Sequence, residues 1–369
     1  MQRLIKILLA FVFVFVSNFC VAAEMPEQEA KETIRILAIG NSYSNNATQY
    51  VDDIAADFGI ATETYSLYYP GCSLKQHVNF YNDESEVYAL VTKGEKYNWK
   101  INTMQKAFSH YNYDYITIQQ GSALCDAFFS YYTESEPWIN DLYDIIKENQ
   151  PNAKVKIHQT WSLCNEKATE KRPNFSTPWE SSAEMFNQIE SCYVRAAEKI
   201  GLNNSDIIKS GKAIQLAKDN YGYADIYNTK EDGALTKEEA LANNALYADN
   251  LSHLNERGKY LASLVFVETL LGVDCRKTSF VPDCLTAEDC IKLRKIAHEA
   301  VTGEKEYKQG DINGDGTVDA ADLALLKKVI AKLTPIDDDS VVNPDVDGEG
   351  STPDAADLAL LKKIIAKLV

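Results

Sequence analysis

A short apolar run that ends in a polar turn constrains the fold of this chain more than any other feature. The run Ile34 to Ile39 has the composition of a buried parallel strand, and it stops at Gly40-Asn41-Ser42. From Ala47 to Gly59, apolar residues recur at helical spacing and predict a helix. Ser42 is therefore expected between a strand end and a helix start, where open α/β sheets bind ligands and backbone N–H groups can hold an anion. Its hydroxyl is either a nucleophile or, like that of Ser44, a cap of the helix.

Short apolar runs alternate with longer amphipathic segments as far as residue 300, which is typical of βα units and a parallel sheet. The predicted strands are Ile34–Ile39, Thr62–Tyr69, Asp114–Ile118, Lys154–His158 and Asp206–Ile208. Further helices are predicted at Trp138–Asn149, Ser181–Ile200, Ser210–Asp219, Lys237–Ala242, Gly258–Leu271 and Thr286–Ala300. Small or polar residues follow four of the strands, so these strand ends are expected to converge on one face of the sheet.

Residues 1–23 have the pattern of a signal peptide, with basic residues, an apolar run and the small-residue sequence Val21-Ala22-Ala23. We therefore expect an exported protein, and nothing later in the sequence resembles a membrane span. The formal net charge of -17 argues against nucleic acid or an anionic membrane as a partner. Export permits disulfides, with Cys275 and either Cys284 or Cys290 as the expected local pair, whereas an anaerobic source would leave all the thiols reduced.

The C-terminal part contains a duplicated segment. The ten residues Asp319 to Lys328 recur unchanged at Asp354 to Lys363, 35 residues later. Each copy is preceded by oxygen-bearing side chains at the spacing of an EF-hand-like calcium loop. The candidate calcium ligands are Asp311, Asn313, Asp315, Thr317, Asp319 and Asp322 in the first loop, and Asp345, Asp347, Glu349, Ser351 and Asp357 in the second. The second loop is one residue longer, near Thr352-Pro353, which predicts a bulged loop and weaker binding.

With these loops and repeats, residues 310–369 resemble a type I dockerin over its whole length. The resemblance implies two structural calcium ions and one helix after each loop, Ala320–Leu333 and Ala355–Leu368. It also implies a partner, a cohesin module of a scaffoldin protein, which mounts enzymes on a cellulosome. The implied cohesin contacts are Ala320, Ala321, Lys327 and Lys328, and in the second copy Ala355, Ala356, Lys362 and Lys363. The alternative interpretation is that the alanines serve only to form the helices and that the lysines are ordinary solvated side chains.

Only five histidines are present, which narrows the search for a catalytic base. His253 follows Tyr247-Ala248-Asp249-Asn250-Leu251-Ser252 and stands immediately before a predicted helix. A histidine with an acid a few residues earlier can be oriented by that acid while it accepts a proton from a serine. His158 ends a predicted strand and is expected in the core or at the rim of a site.

Together, these motifs resemble the SGNH (GDSL-like) hydrolase superfamily across residues 34–300, and in particular a secreted branch of unassigned function. The resemblance implies a flavodoxin-like three-layer α/β sandwich with a parallel sheet. It implies that Ser42 is the nucleophile, since Gly40-Asn41-Ser42 stands where the superfamily has Gly-Asp-Ser. It further implies that the Gly71 N–H joins the Ser42 N–H in an oxyanion hole, that His253 is the base, and that catalysis needs no cofactor.

Two departures from the superfamily pattern bear on the site. Gln119-Gln120-Gly121-Ser122 replaces Gly-x-Asn-Asp, so Gln119 or Gln120 is expected to supply the side-chain oxyanion donor. Asn250 stands where the triad acid belongs, and Asp249 lies one residue earlier. Either Asp249 reaches the imidazole through a shifted turn, or a Ser–His pair acts with a carbonyl group orienting the ring.

The sequence thus predicts a signal peptide at 1–23, a hydrolase domain at 24–301, a linker at 302–309 and a dockerin at 310–369. The expected function is that of a secreted, extracellular serine esterase that removes acetyl or similar ester groups from plant polysaccharides. Candidate residues for stacking on sugar rings are Tyr43, Tyr68, Tyr69 and Trp161.

Other functions compete with this one. The main alternative is an α/β domain that has lost its acid and only binds glycan as a cellulosome component. A glycosidase fits less well because no carboxylate pair stands at the strand ends. A metal-dependent deacetylase fits less well because the histidines are scattered.

Overall fold

The computed structural model describes residues 33–93, 95–98, 100–164, 179–224, 244–248, 252–304, 309–314, 317–335, 341, 344–349 and 352–367. The expected signal peptide at 1–23 and the expected helix Lys237–Ala242 lie outside these residues.

Within the described residues, seven strands form one sheet in the order β4-β3-β2-β1-β5-β6-β7. They are β1 (Ile34–Gly40), β2 (Thr62–Tyr68), β3 (Ala89–Thr92), β4 (Glu95–Asn98), β5 (Tyr115–Ile118), β6 (Lys154–His158) and β7 (Ile207–Ile208). The five predicted strands are confirmed, and they pair in parallel. The chain moves from β1 to β2 on one side and later returns to β5 on the other. The carboxyl ends of β1 and β5 therefore flank a topological switch point, where such sheets bind ligands.

Helices cover both faces of this sheet. They are α1 (Ser42–Ala47), α2 (Val51–Asp57), α3 (Leu74–Asn82), α4 (Met104–His110), α5 (Trp138–Asn149), α6 (Ser182–Lys199), α7 (Ser210–Tyr221), α8 (Glu256–Leu271) and α9 (Ala287–Thr302). α8 packs against α1, α2, α7 and α9, whereas α5 packs against α3 and α6. Residues 36–39 are all 0% exposed, although successive strand residues point to opposite faces. The structure is therefore the expected three-layer α/β sandwich.

The structure departs from the prediction at two places. The predicted helix from Ala47 to Gly59 is two helices, α1 and α2, and Ser42 is the first residue of α1. The sequence of α1 is polar, so it carries no apolar helical spacing that would have indicated a helix. In addition, β3 and β4 form an antiparallel hairpin that extends the sheet beyond β2, so the sheet is mostly but not wholly parallel.

Residues 309–367 contain a second hydrophobic core, around helices α10 (Ala320–Ile330) and α11 (Ala355–Ile365). These helices pack against each other. The buried side chains of this core are Ile312, Leu326, Val329, Val341, Val346 and Leu361. The two predicted helices are confirmed, and each ends three residues earlier than expected. Among the described helices of the whole chain, none combines the length and the hydrophobicity that a membrane crossing requires.

The described cysteines carry free thiols, and all except Cys284 are buried. Cys275 Sγ donates to the carbonyl oxygen of Leu264 at 3.1 Å. The expected disulfide of Cys275 with Cys284 or Cys290 is therefore not formed in this structure.

Candidate active site

Three strand ends meet around the side chain of Asn41, which is fully buried. Its Oδ1 accepts from the Tyr43 N–H at 3.0 Å, and this contact caps α1. The same Oδ1 accepts from Gln119 Nε2, at the end of β5, at 2.7 Å. Asn41 Nδ2 donates to the Cys72 carbonyl, in the turn after β2, at 3.1 Å. One amide therefore fixes the turns after β1, β2 and β5 relative to one another.

Ser42 is the residue directly after this cap. It is partly buried and begins α1, so its own N–H belongs to the first helical turn and is not consumed by the helix. Among the described residues, the N–H groups of Ser42 and Gly71 have no hydrogen-bond partner. Both are therefore available to bind an anionic oxygen.

His253 contacts Ser42 from the far end of the domain sequence. His253 Nε2 lies 3.0 Å from Ser42 Oγ, although the two residues are 211 positions apart. The imidazole is exposed, on the segment immediately before α8. With its proton on Nδ1, this ring accepts the hydroxyl proton at Nε2. The structure thus brings the two residues together as the sequence suggested. Asp249 and Asn250 lie outside the described residues.

The turn that carries Gly71 packs tightly against the end of β5. Gly71 has a backbone φ of +63°, in the left-handed region that glycine adopts without strain. A Cβ on Gly121 would lie 3.0 Å from the Cys72 carbonyl oxygen and 3.1 Å from that of Gly71. Gly121 therefore allows the two turns to approach each other beside Ser42.

Neither glutamine of the β5 turn is placed as the expected oxyanion donor. Gln119 Nε2 donates to Asn41 and to the Gln120 carbonyl, while its Oε1 accepts from Ser44 Oγ at 2.6 Å. Gln120 Nε2 donates to the carbonyl and the hydroxyl of Ser130 at 2.8 and 3.0 Å. Both side chains are almost completely buried. The expectation that Gln119 or Gln120 donates to the oxyanion is corrected, because both amide groups donate to other groups of the protein and connect neighbouring loops.

Two of the candidate sugar-stacking residues are in the core. Tyr43 is 1% exposed and Trp161 is 0% exposed, with their ring centroids 4.4 Å apart. They cannot stack on a bound sugar. Tyr68 and Tyr69 are only partly buried, at the end of β2.

His158, expected either in the core or at the rim of a site, is in the core, with a side chain that is 0% exposed.

A cluster of possible metal ligands, Glu268, Asp274 and His298, lies at the C-terminal end of α8. His298 Nδ1 is 2.6 Å from Glu268 Oε1, so this contact links α8 to α9. Arg276 contacts both oxygens of Asp274 at 2.9 Å, and this hydrogen-bonded ion pair lowers the pKa of Asp274 to about 2. Asp274 thus pairs with Arg276 and Glu268 contacts His298, so these side chains already have partners within the protein.

The first acidic loop precedes α10. Asp322, the last expected ligand, accepts from the Ile312 N–H at 2.7 Å and from the Asp319 N–H at 2.8 Å. Asp311 accepts from the Gly314 N–H at 2.8 Å. The expected ligand Asp315 lies outside the described residues.

The second acidic loop repeats these contacts despite its additional residue. Asp357 accepts from the Val346 N–H at 2.7 Å and from the Asp354 N–H at 2.8 Å. Asp354 caps α11 as Asp319 caps α10, so the additional residue is accommodated before Asp354. Asp354 is not among the predicted ligands, because counting forward from Asp345 does not align it with Asp319. The identical ten-residue repeats would have aligned the two.

Oxygen atoms of three carboxylates in the second loop converge. One oxygen each from Asp345, Asp347 and Asp357 lies within 4.8 Å of the others. Such a set suits a hard divalent cation, which collects oxygen ligands. Ser351, a further expected ligand, lies outside the described residues.

All eight residues expected to contact a cohesin are exposed on α10 and α11. They are Ala320, Ala321, Lys327, Lys328, Ala355, Ala356, Lys362 and Lys363. The intervening Leu326 and Leu361 face the core between the helices. The two copies therefore present equivalent surfaces.

Comparisons with known proteins agree with this architecture. The model of the family described as a domain of unknown function, DUF4886, matches residues 35–300, and the type I dockerin model matches residues 309–366. A DUF4886 family protein from Bacteroides uniformis, solved by crystallography, is 26% identical, with a TM-score of 0.61 over 73% of this chain and 95% of that one.

More distant structures include two hydrolases. An acetyl xylan esterase, AlAXEase, is 13% identical, with a TM-score of 0.36 over 64% of this chain and 100% of that one. A GDSL-like lipase from Bacteroides thetaiotaomicron is 12% identical, with a TM-score of 0.32 over 65% and 89%. No curated protein matches the chain. The chain belongs to the DUF4886 family, and it carries a type I dockerin domain after that family's domain.

Proposed function

We propose that this protein is a secreted serine esterase of the Ser–His type. The observation that carries the proposal is the 3.0 Å separation between His253 Nε2 and Ser42 Oγ. A hydroxyl on a strand-to-helix turn, beside an imidazole that can accept its proton, is the arrangement that acyl transfer through a serine requires.

In the proposed reaction, His253 Nε2 takes the proton from Ser42 Oγ while Oγ attacks the carbonyl carbon of the ester. The N–H groups of Ser42 and Gly71 stabilise the negative charge on the carbonyl oxygen. The imidazolium then gives its proton to the departing alkoxide, and the acid part of the substrate remains on the serine. Water, deprotonated by His253, releases that acid by the same route.

The group that orients the imidazole is proposed from the sequence alone. Asp249 is the first candidate and Asn250 the second. If the Asp249 carboxylate holds the ring, Asp249→Asn should lower kcat by about 10⁴-fold, as loss of the acid does in other serine hydrolases. A loss below tenfold, with a larger one in Asn250→Ala, would assign the orienting role to Asn250, and small losses in both variants would favour the Ser–His pair with a main-chain carbonyl orienting the ring.

The dockerin provides the setting of the proposed reaction. Type I dockerins bind cohesin modules, so we propose export through the segment 1–23 and attachment to an extracellular cellulosome. Plant polysaccharides carry acetyl and similar esters, which are the proposed substrates. We further propose two structural calcium ions, one in each acidic loop. The carboxylates of Asp345, Asp347 and Asp357 support the second of these sites.

Hydrolysis of acetylated xylan and of p-nitrophenyl acetate by purified protein tests the proposal. Ser42→Ala should lower kcat by at least about 10³-fold, because it removes the hydroxyl that forms the acyl intermediate in the proposed reaction. Ser44→Ala is the matched control, since that hydroxyl is buried against Gln119 and should be replaceable without a comparable loss. Equal hydrolysis with and without the Ser42 hydroxyl would overturn the proposal.

The second candidate function is a glycan-binding domain that does not hydrolyse its ligand. The position of Asn250 in place of the expected acid favours it. Binding of acetylated xylan by a wild-type protein that releases no acetate would support this function instead.

A further inference from the structure

Two polar contacts join helix α1 to the segment that carries His253. His253 Nε2 faces Ser42 Oγ at 3.0 Å, and the Leu254 N–H donates to Asn46 Oδ1 at 2.8 Å. Ser42 and Asn46 are four residues apart on α1 and therefore share one face of the helix. The residue after the histidine is thus anchored one helical turn from the serine.

Trp161 holds the residue before the histidine. Its indole N–H donates to the Ser252 carbonyl at 2.7 Å, and its side chain is 0% exposed. Its ring also packs on Tyr43, the residue after Ser42, with the centroids 4.4 Å apart. This tryptophan therefore contacts the serine turn on one side and the histidine segment on the other.

The main chain of His253 itself is also held. The Ala248 N–H donates to the His253 carbonyl at 2.8 Å. Residues 252, 253 and 254 thus each have at least one main-chain group in a hydrogen bond, and two of these three partners, Trp161 and Asn46, belong to other elements of the fold. A displacement of about 1 Å between reacting groups can cost about 10²-fold in rate, so contacts that fix this backbone matter to the chemistry.

We propose that Asn46 and Trp161 are positioning residues that set the distance between His253 and Ser42. The inference rests on the proposed esterase function, because it concerns the geometry of that reaction. Asn46 fixes the backbone after the imidazole, and Trp161 fixes the backbone before it. Neither residue has to touch the substrate, so both act on the rate of the chemical step and leave substrate affinity unchanged.

Steady-state kinetics of p-nitrophenyl acetate hydrolysis by four variants, with folding checked by thermal unfolding, tests this inference. Asn46→Ala removes the acceptor, and Trp161→Phe removes the donor while keeping an aromatic ring. Each should lower kcat by about 10- to 100-fold with KM unchanged within twofold. Asn46→Asp keeps an acceptor oxygen and should restore most of the rate. The double variant should lose less than the product of the two single losses, because both act through one imidazole.

Matched controls come from the same chain. Asn45→Ala changes the neighbouring asparagine of α1, which makes no contact with the histidine segment among the described residues. Trp179→Phe removes an indole that donates to Asp126 at 3.0 Å instead. Both should keep kcat within threefold of the wild type.

The outcomes separate the inference from the function on which it rests. A wild-type protein whose hydrolysis does not depend on Ser42 defeats the proposed function and the inference with it. If hydrolysis depends on Ser42 but Asn46→Ala and Trp161→Phe match their controls, the function stands and the positioning role is wrong. Should one variant fail to fold, the other decides, together with the rate at which a fluorophosphonate labels Ser42.

Discussion

Acidification should destabilise the α/β part of this protein through two buried histidines, His77 and His158. Burial lowers the pKa of both imidazoles to about 3, because the side chains are 0% exposed and the charged form loses its hydration. Neither ring nitrogen of His158 has a hydrogen-bond partner among the described residues, and its ring packs edge-on against Phe266. His77 Nδ1 lies 2.8 Å from the Tyr88 hydroxyl. Both rings are therefore neutral in the folded protein.

The sign of the effect follows from the two states. An imidazole in the unfolded chain titrates near 6.5, so between pH 6.5 and about 3 the unfolded state binds more protons than the folded state. The stabilisation is complete above pH 6.5 and decreases as the pH falls through this interval. Between pH 7 and pH 5 the loss is about 2 kcal/mol for each histidine, or about 4 kcal/mol for both. Any folded-state pKa below about 4 gives nearly the same figure.

Urea unfolding at pH 7 and pH 5, followed by tryptophan fluorescence, measures this difference. The signal comes from the α/β part alone, because residues 308–369 contain no aromatic residue. His158→Leu should reduce the pH dependence of the free energy of unfolding by about 2 kcal/mol, and adding His77→Leu should reduce it by about 4 kcal/mol. If both variants kept the pH dependence of the wild type, the reasoning from burial would be refuted.

The turn beside Ser42 and the acidic loops give further predictions. Asn41→Ala should cost about 3 kcal/mol of unfolding free energy or more, because it removes the cap of α1, leaves the buried Cys72 carbonyl unpaired and deprives the buried Gln119 amide of its acceptor at 2.7 Å. Urea unfolding measures this cost, and a loss below about 1 kcal/mol would contradict the role of Asn41. Gly71→Ala should lower kcat of ester hydrolysis about tenfold because of backbone strain, whereas Gly71→Asn tolerates the left-handed conformation and should lose less. Equal kcat values in these two variants would contradict a requirement for the left-handed backbone conformation at residue 71. Calcium removal by EDTA should reduce the helical circular dichroism of the dockerin and leave the tryptophan fluorescence unchanged, and a change in both signals would argue against separate cores.

The sheet could be predicted from the sequence wherever a strand is buried on both faces. Ile36 to Ile39 are apolar at every position because helices cover both sides, and such a run needs no tertiary information to be recognised. The hairpin of β3 and β4 was missed for the opposite reason. Both strands are only four residues long, and the edge strand β4 is Glu-Lys-Tyr-Asn, which has no apolar pattern to detect.

The pair Ser42 and His253 could be anticipated because each residue stands at a recognisable boundary between elements. The partners of the two glutamines could not, because they depend on which loops pack at the end of β5. Gln119 and Gln120 have the amide donors that an oxyanion hole uses, but the fold directs those donors to Asn41 and Ser130. A residue type indicates which hydrogen bonds are possible, and only the packing decides which are made.

Trapping the acyl intermediate tests the central claim most directly. The wild-type protein is mixed with p-nitrophenyl acetate, quenched in acid within the first turnover, digested and examined by peptide mass spectrometry. The account predicts one acetyl group on the peptide that contains Ser42, and none on that peptide in His253→Ala treated in the same way. Acetylation of the wild type at another residue, or equal acetylation of Ser42 with and without the imidazole, would contradict it.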